Sequence, residues 1–198
     1  GRVRCLRGGG LVGSRGGNEV FRRDDLAVQP GEIVVVRGAN GGGKTSLLED
    51  IALPPGARGG SRAAGVALVP HRVDDLLIRE TIEAECDFAD RRAGAPRGTT
   101  SRRFAALIAR PAVPPAPHTH PRDASAGTRL ALAIAVQLSA APRVLLLDEP
   151  TRGLDLAARR RLAELLTAHA STGAAVLLAT HDDEFAGLLA RAGASVRG

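Results

Sequence analysis

The sequence predicts an α/β domain built on a largely parallel sheet. Three observations carry that expectation. Short, wholly apolar runs recur at Ile33–Val36, Val66–Val69, Val144–Leu147 and Ala174–Ala179. Segments of helix-forming composition separate them, and strands alternating with helices imply parallel pairing. The chain has 198 residues, a length suited to one domain with a sizeable core.

Taken in order, residues 1–31 hold two Gly-rich runs, Gly8-Gly9-Gly10 and Gly16-Gly17, around short apolar stretches. They read as an antiparallel hairpin or meander. Ile33–Val36 is a buried strand, four apolar residues of which all are β-branched. A helix is expected from Thr45 to about Ala52. Val66–Val69 is a second strand, stopped by Pro70. Two helical pieces follow, about Ile82–Ala89 and Arg102–Ala109. The stretch Pro111 to Pro121 contains five prolines and is expected to be irregular. Thr128–Ser139 is almost wholly apolar and reads as a buried helix. Val144–Leu147 is a strand that runs into Asp148-Glu149-Pro150. Leu156–Ala170 is amphipathic, with Leu162, Leu165 and Leu166 on one face. Ala174–Ala179 is a strand, and a last helix covers Phe185–Ala190.

Composition narrows the function. Apolar residues make up 44%, yet there are only four Phe and no Tyr, Trp or Met. The core must come from Leu, Val, Ile and Ala. The formal charge is +6, but the arginines are scattered and almost no aromatics are available to stack bases. A nucleic-acid partner is therefore not expected, and compositional bias accounts for much of the arginine. Cys5 and Cys86 show no paired spacing, which suits a reduced compartment. No stretch is long and apolar enough to span a bilayer, and a secretory signal is not expected. The chain begins without Met, so residue 1 need not be the natural start.

Of 27 basic residues only Lys44 is a lysine. It closes Gly38-Ala39-Asn40-Gly41-Gly42-Gly43-Lys44-Thr45, the G-x-x-x-x-G-K-[ST] pattern of a phosphate-binding loop. The alternative is a Gly-rich turn before a helix. The upstream strand and downstream helix favour the loop. Its glycines let backbone N–H groups converge on phosphate oxygens at a positive helix end. Gly38, Asn40, Gly41, Gly43, Lys44, Thr45 and Ser46 form the expected nucleotide-binding set. Lys44 would neutralise the β- and γ-phosphates, and Thr45 would offer a hydroxyl to Mg²⁺. Asp148, ending a buried strand, would hold the same Mg²⁺. Glu149 would polarise the attacking water as general base. The other reading of this pair is two solvated carboxylates at a strand end.

The run Asp148-Glu149-Pro150-Thr151-Arg152-Gly153-Leu154-Asp155 resembles the Walker B and D-loop sequence of ATP-binding cassette (ABC) ATPases. Thr180-His181-Asp182 stands where that family carries its switch histidine, which implies that His181 contacts the γ-phosphate and helps orient the water. Ala124-Ser125-Ala126-Gly127-Thr128 matches the family's L-S-G-G-Q signature only at Ser125 and Gly127. The resemblance implies that these two bind the ATP of a partner subunit. The plainer reading is that Ser125 caps a helix. His71 stands where the family has the Q-loop glutamine, so it joins the expected binding set. The stretch His71-Arg72-Val73-Asp74-Asp75-Leu76-Leu77 looks like the Q-loop of energy-coupling ATPases of vitamin and metal-ion importers.

The fold this implies is a P-loop NTPase with an ABC-ATPase core. It has a mostly parallel sheet, a small N-terminal antiparallel β part, and an α-helical subdomain at about residues 72–127 inside one domain, 1–198. The function implied is an ATPase using ATP and Mg²⁺. It would pair with a second ABC ATPase and an integral membrane transporter subunit, at the cytoplasmic face of the membrane. A soluble ABC protein acting on ribosomes or DNA is one alternative. A degenerate cassette within a heterodimer is another. His118 and His120 form an H-x-H pair that invites a metal reading, but without Cys or acidic neighbours in sequence a solvated loop is the better one.

Overall fold

The computed structural model describes residues 6–7, 11–15, 18–23, 27–37, 43–53, 65–108 and 115–197. Four short strands come first. β1 (Leu6–Arg7) pairs antiparallel with β4 (Ala27–Val28). β2 (Leu11–Arg15) pairs antiparallel with β3 (Asn18–Arg23), with a register shift between Gly13 and Ser14.

The centre is a five-stranded sheet of β5 (Ile33–Val36), β6 (Val66–Val69), β7 (Val144–Asp148), β8 (Ala175–Ala179) and β9 (Ser195–Arg197), in the order β6-β7-β8-β5-β9. All four ladders are parallel. β9 was not expected from the sequence. Three residues carry too little pattern to read, and the strand exists because the edge of β5 offers free backbone groups to Ser195, Val196 and Arg197.

The side chains of β5 to β8 alternate between two apolar layers, as the pleat requires. Val35, Val69, Leu145, Leu147, Val176 and Leu178 face one side. Val34, Val36, Leu68, Leu146 and Leu177 face the other. Burial on both faces is why these strands read as unbroken apolar runs. Helix α1 (Lys44–Ala52) covers the second side with Leu47, Leu48 and Ile51. The first side is covered by α4 (Ala126–Ser139), α5 (Leu156–Ser171) and α6 (Asp183–Arg191). Packed against α4 are α2 (Ile82–Ala93) and α3 (Thr99–Leu107).

Helix ends depart from expectation for identifiable reasons. α2 runs to Ala93 rather than Ala89 because Gly94, at φ 64°, closes it and Ala95 N–H returns to Asp90 O at 2.9 Å. α3 starts at Thr99 rather than Arg102, because the distant Asp90 carboxylate accepts from Thr99 N (3.1 Å) and Thr100 N (2.9 Å). It also ends two residues short of the expected Ala109. Ser125 and Asp182 cap α4 and α6, accepting from Thr128 N at 3.2 Å and Phe185 N at 3.0 Å. That moves both starts two residues earlier than the apolar pattern suggests. In the proline-rich stretch, Pro121–Asp123 forms one 3₁₀ turn.

Candidate functional site

The parallel sheet brings four loops to one edge, outside the carboxyl ends of its strands. That is where ligands bind in open α/β sheets. β6 leads to His71, β7 to Asp148 and Glu149, β8 to Thr180 and His181, and β5 through the glycine loop to Lys44. Two backbone bonds lock these ends together. Glu149 N–H donates to Ala179 O at 2.9 Å, and Thr180 N–H donates to Val36 O at 3.1 Å.

Of the glycine loop, Gly38, Asn40 and Gly41 lie outside the described residues. Gly43 is described. It holds φ 77°, a conformation that costs a side chain strain, and its carbonyl accepts Leu47 N–H at 2.9 Å to open α1. Lys44 is the first residue of the helix and is 7% exposed. Thr45 and Ser46 occupy the same first turn. Thr45 Oγ1 donates to Asp148 Oδ2 at 2.7 Å, which joins α1 to the end of β7.

Asp148 is 4% exposed. Burial pushes its carboxyl upward, the nearby Glu149 charge adds to that, and the Thr45 hydrogen bond and the Lys44 charge pull against it. A buried carboxylate beside a hydroxyl is a hard-oxygen donor pair. It suits Mg²⁺, which takes one or two protein oxygens and completes its shell with phosphate and water. Among the described residues there is no cluster of three or more His, Cys, Asp or Glu that could hold a metal alone.

Glu149 adopts φ 51°, left-handed for a residue with a Cβ. Such strain persists where surrounding contacts over-determine it. Here the contacts are explicit. Oε2 accepts from Thr180 Oγ1 at 3.2 Å and from His181 N–H at 3.3 Å. Oε1 lies 2.9 Å from His181 Nδ1 and 3.9 Å from Lys44 Nζ. Lys44, Glu149 and His181 therefore form one cluster, beside the Thr45–Asp148 pair. The Glu149 side chain is 11% exposed and His181 65%, so the cluster opens to solvent on the His181 side.

The remaining candidates stand apart from this cluster. His71 Nε2 lies 2.6 Å from Arg152 Nη1. Arginine only donates, so this contact uses the acceptor nitrogen of His71. No local pattern signals that pairing, which joins loops 81 residues apart. Ser125 caps α4, and its Oγ also lies 2.9 Å from Thr128 Oγ1. The α4 start packs tightly on the turn after Glu149. A Cβ on Gly127 would meet Leu154 Cδ2 at 3.1 Å, and one on Gly153 would meet Ala126 Cβ at 3.1 Å. His120 Nδ1 accepts from Arg122 N at 3.1 Å, and His118 Nδ1 lies 3.7 Å from Glu83 Oε2.

A lysine and threonine opening a helix behind a Gly-rich loop, faced by an acidic strand end in a parallel sheet, define a P-loop nucleotide-binding domain. Comparisons with known proteins narrow the class. A family model described as "AAA domain, putative AbiEii toxin, Type IV TA system" matches residues 115–186, the stretch that carries α4, α5 and the start of α6. A "Putative ABC transporter ATP-binding protein" of Streptomyces avermitilis is 49% identical over 195 residues, covering 91% of this chain and 34% of that protein. The "Cytochrome c biogenesis ATP-binding export protein CcmA" of Bordetella bronchiseptica is 40% identical over 193 residues, covering 87% of this chain and 80% of that protein. A solved ATP binding subunit of an ABC transporter superposes with TM-score 0.71 at 25% identity, covering 89% of this chain and 79% of that one. The chain belongs to the ABC transporter ATP-binding family. It spans about a third of the length of the curated Streptomyces relatives it matches.

Proposed function

We propose that this chain binds and hydrolyses ATP and that the hydrolysis drives an ABC-type membrane transporter. The observation that carries the reading is the joining of Lys44, Glu149 and His181 in one cluster, next to Thr45 and Asp148. In this reading the glycine loop and Lys44 hold the β- and γ-phosphates at the N-terminus of α1. Thr45 and Asp148 hold Mg²⁺. When bound, the ion withdraws charge from the phosphate oxygens. Glu149 Oε1 accepts a proton from the attacking water, and His181, within 2.9 Å of that oxygen, orients the water and the terminal phosphate. Ser125 and Gly127 contact the nucleotide of a second cassette.

No helix among the described residues is long and apolar enough to cross a membrane. A membrane-spanning partner subunit is part of the proposal, as is a place on the cytoplasmic face. Within the family we favour an importer of the energy-coupling type, moving a vitamin or a metal ion. The support is the paired Asp74-Asp75 beyond His71.

The test is Glu149→Gln. ATP turnover is expected to fall by about a hundredfold or more while Mg²⁺-ATP binding survives, since only the proton acceptor is removed. Equal turnover in variant and wild type would sink the reading. A second reading, in which this chain is the weaker half of a heterodimer, draws on two observations. His71 is engaged by Arg152, and Ser125 Oγ is engaged by Thr128. Native mass measurement of the assembly separates the two: one kind of cassette against two.

A further inference from the structure

Thr180 is polar yet 0% exposed, and it directly follows the end of β8. Its backbone N–H is spent on Val36 O at 3.1 Å. Its hydroxyl has two partners. Asp182 N–H donates to Oγ1 at 3.0 Å, and Oγ1 lies 3.2 Å from Glu149 Oε2. A hydroxyl has a single proton and rotates to suit its neighbours. With the Asp182 N–H already aimed at the oxygen, the proton is directed at the Glu149 carboxylate, the acceptor within reach among the described residues.

Asp182 cannot easily move. Its Oδ1 caps α6 through Phe185 N at 3.0 Å, and its Oδ2 pairs with Arg159 Nη1 of α5 at 3.1 Å. The direction of the Thr180 hydroxyl is thus set by two helices. The two oxygens of Glu149 are consequently unequal. Oε2 takes two donors from the β8 end, the Thr180 hydroxyl and the His181 backbone N–H. Oε1 faces the Lys44 ammonium and the His181 ring, on the solvent side.

We infer that Thr180 is a positioning residue for hydrolysis: its hydroxyl pins Glu149 by Oε2, so that Oε1 alone is presented to the attacking water. The inference rests on the reading of Glu149 as general base. A carboxylate held by one oxygen keeps the other in a fixed orientation, and a loss of that orientation lowers the rate without weakening substrate binding.

The experiment compares wild type, Thr180→Val, Thr180→Ser and Glu149→Gln in the full chain, with Mg²⁺-ATP as ligand. Circular dichroism checks folding, and both kcat and KM are measured beside direct ATP binding. Valine keeps the shape and removes the hydroxyl. It is expected to lower kcat by about tenfold or more with KM and ATP affinity nearly unchanged. Serine, which restores the hydroxyl, is expected to recover most of that loss. An unchanged kcat in Thr180→Val, or a serine variant as slow as the valine one, overturns the inference. So does a rise in KM at constant kcat. If the valine variant does not fold, Thr180→Cys replaces it, being of similar size but a weak donor. The outcomes also separate two failures. An active wild type, an inactive Glu149→Gln and a fully active Thr180→Val sink only the role of Thr180. Equal activity of Glu149→Gln and wild type sinks the function proposed for the site.

Discussion

Gly153 shows how one residue can hold two loops in register. It stands at φ 77°, and a Cβ there would come within 3.1 Å of Ala126 Cβ, at the start of the helix that Ser125 caps. Both backbone strain and a backbone-anchored neighbour oppose any side chain. Gly153→Ala is expected to cost about 1–2 kcal/mol and to lower Tm by about 4 °C, read by calorimetry. Gly127→Ala should cost less. Its obstacle, Leu154 Cδ2 at 3.1 Å, is the far end of a flexible side chain. Equal losses in the two variants would refute this ordering. At the same scale, Thr45→Val removes the donor to Asp148 and one oxygen proposed for Mg²⁺. Titration with Mg²⁺ at fixed ATP should then show a requirement raised by about tenfold or more.

At the scale of elements, the α2–α3 junction is held by one buried carboxylate. Asp90 accepts from Thr99 N, Thr100 N and Thr100 Oγ1, the last at 2.6 Å. Burial works against its charge, but the hydrogen bonds from Thr100, Gly98 and Thr99 outweigh it and hold the carboxyl below its usual range. The unfolded chain therefore takes up this proton first. The contribution is full above the ordinary carboxylate value near ~4 and is lost as pH falls through the lower folded value. Asp90→Ala should destabilise by about 2 kcal/mol, since it leaves buried N–H groups without a partner. Asp90→Asn should flatten the acid limb of a plot of stability against pH. A limb unchanged in the asparagine variant would refute the assignment. In the same helix Cys86 is buried, and burial pushes its thiol up to about 11. It should resist alkylation in the folded protein, because the thiolate is the reactive form.

At the scale of the whole molecule, the two apolar layers make a rigid platform, and the site is assembled on its edge from four separate loops. A ligand held by several loops stabilises the fold as a unit. Mg²⁺-ATP at about one hundred times its Kd should add about 2.7 kcal/mol. For a domain of this size that raises Tm by about 5–10 °C in a thermal shift measurement. Lys44→Ala should abolish the shift, because Lys44 is the cation buried where the phosphates are proposed to lie. A shift that persists in Lys44→Ala would place the nucleotide elsewhere.

Much of this was legible in the sequence for physical reasons. Strands buried on both faces must be apolar throughout, so β5 to β8 announce themselves. A phosphate loop needs glycine, lysine and a hydroxyl in strict order, so Lys44 and Thr45 are readable without a fold. The acidic pair at the end of a buried strand pointed to Asp148 and Glu149, and the resemblance to ABC ATPases added His71, Ser125, Gly127 and His181 as positions with expected roles. What the sequence alone determined was the α/β class, the order of the strands along the chain and the residue types of the site. Tertiary structure decided the rest. The start of α3 depends on a carboxylate nine residues away on another helix, and β9 depends on an edge that β5 leaves open. The His71–Arg152 contact and the bond from Thr180 to Glu149 join residues 81 and 31 positions apart. Local pattern reports what a residue does to its own few turns of chain. Which atoms meet across loops is set by the packing of the sheet, and that information is spread over the whole core.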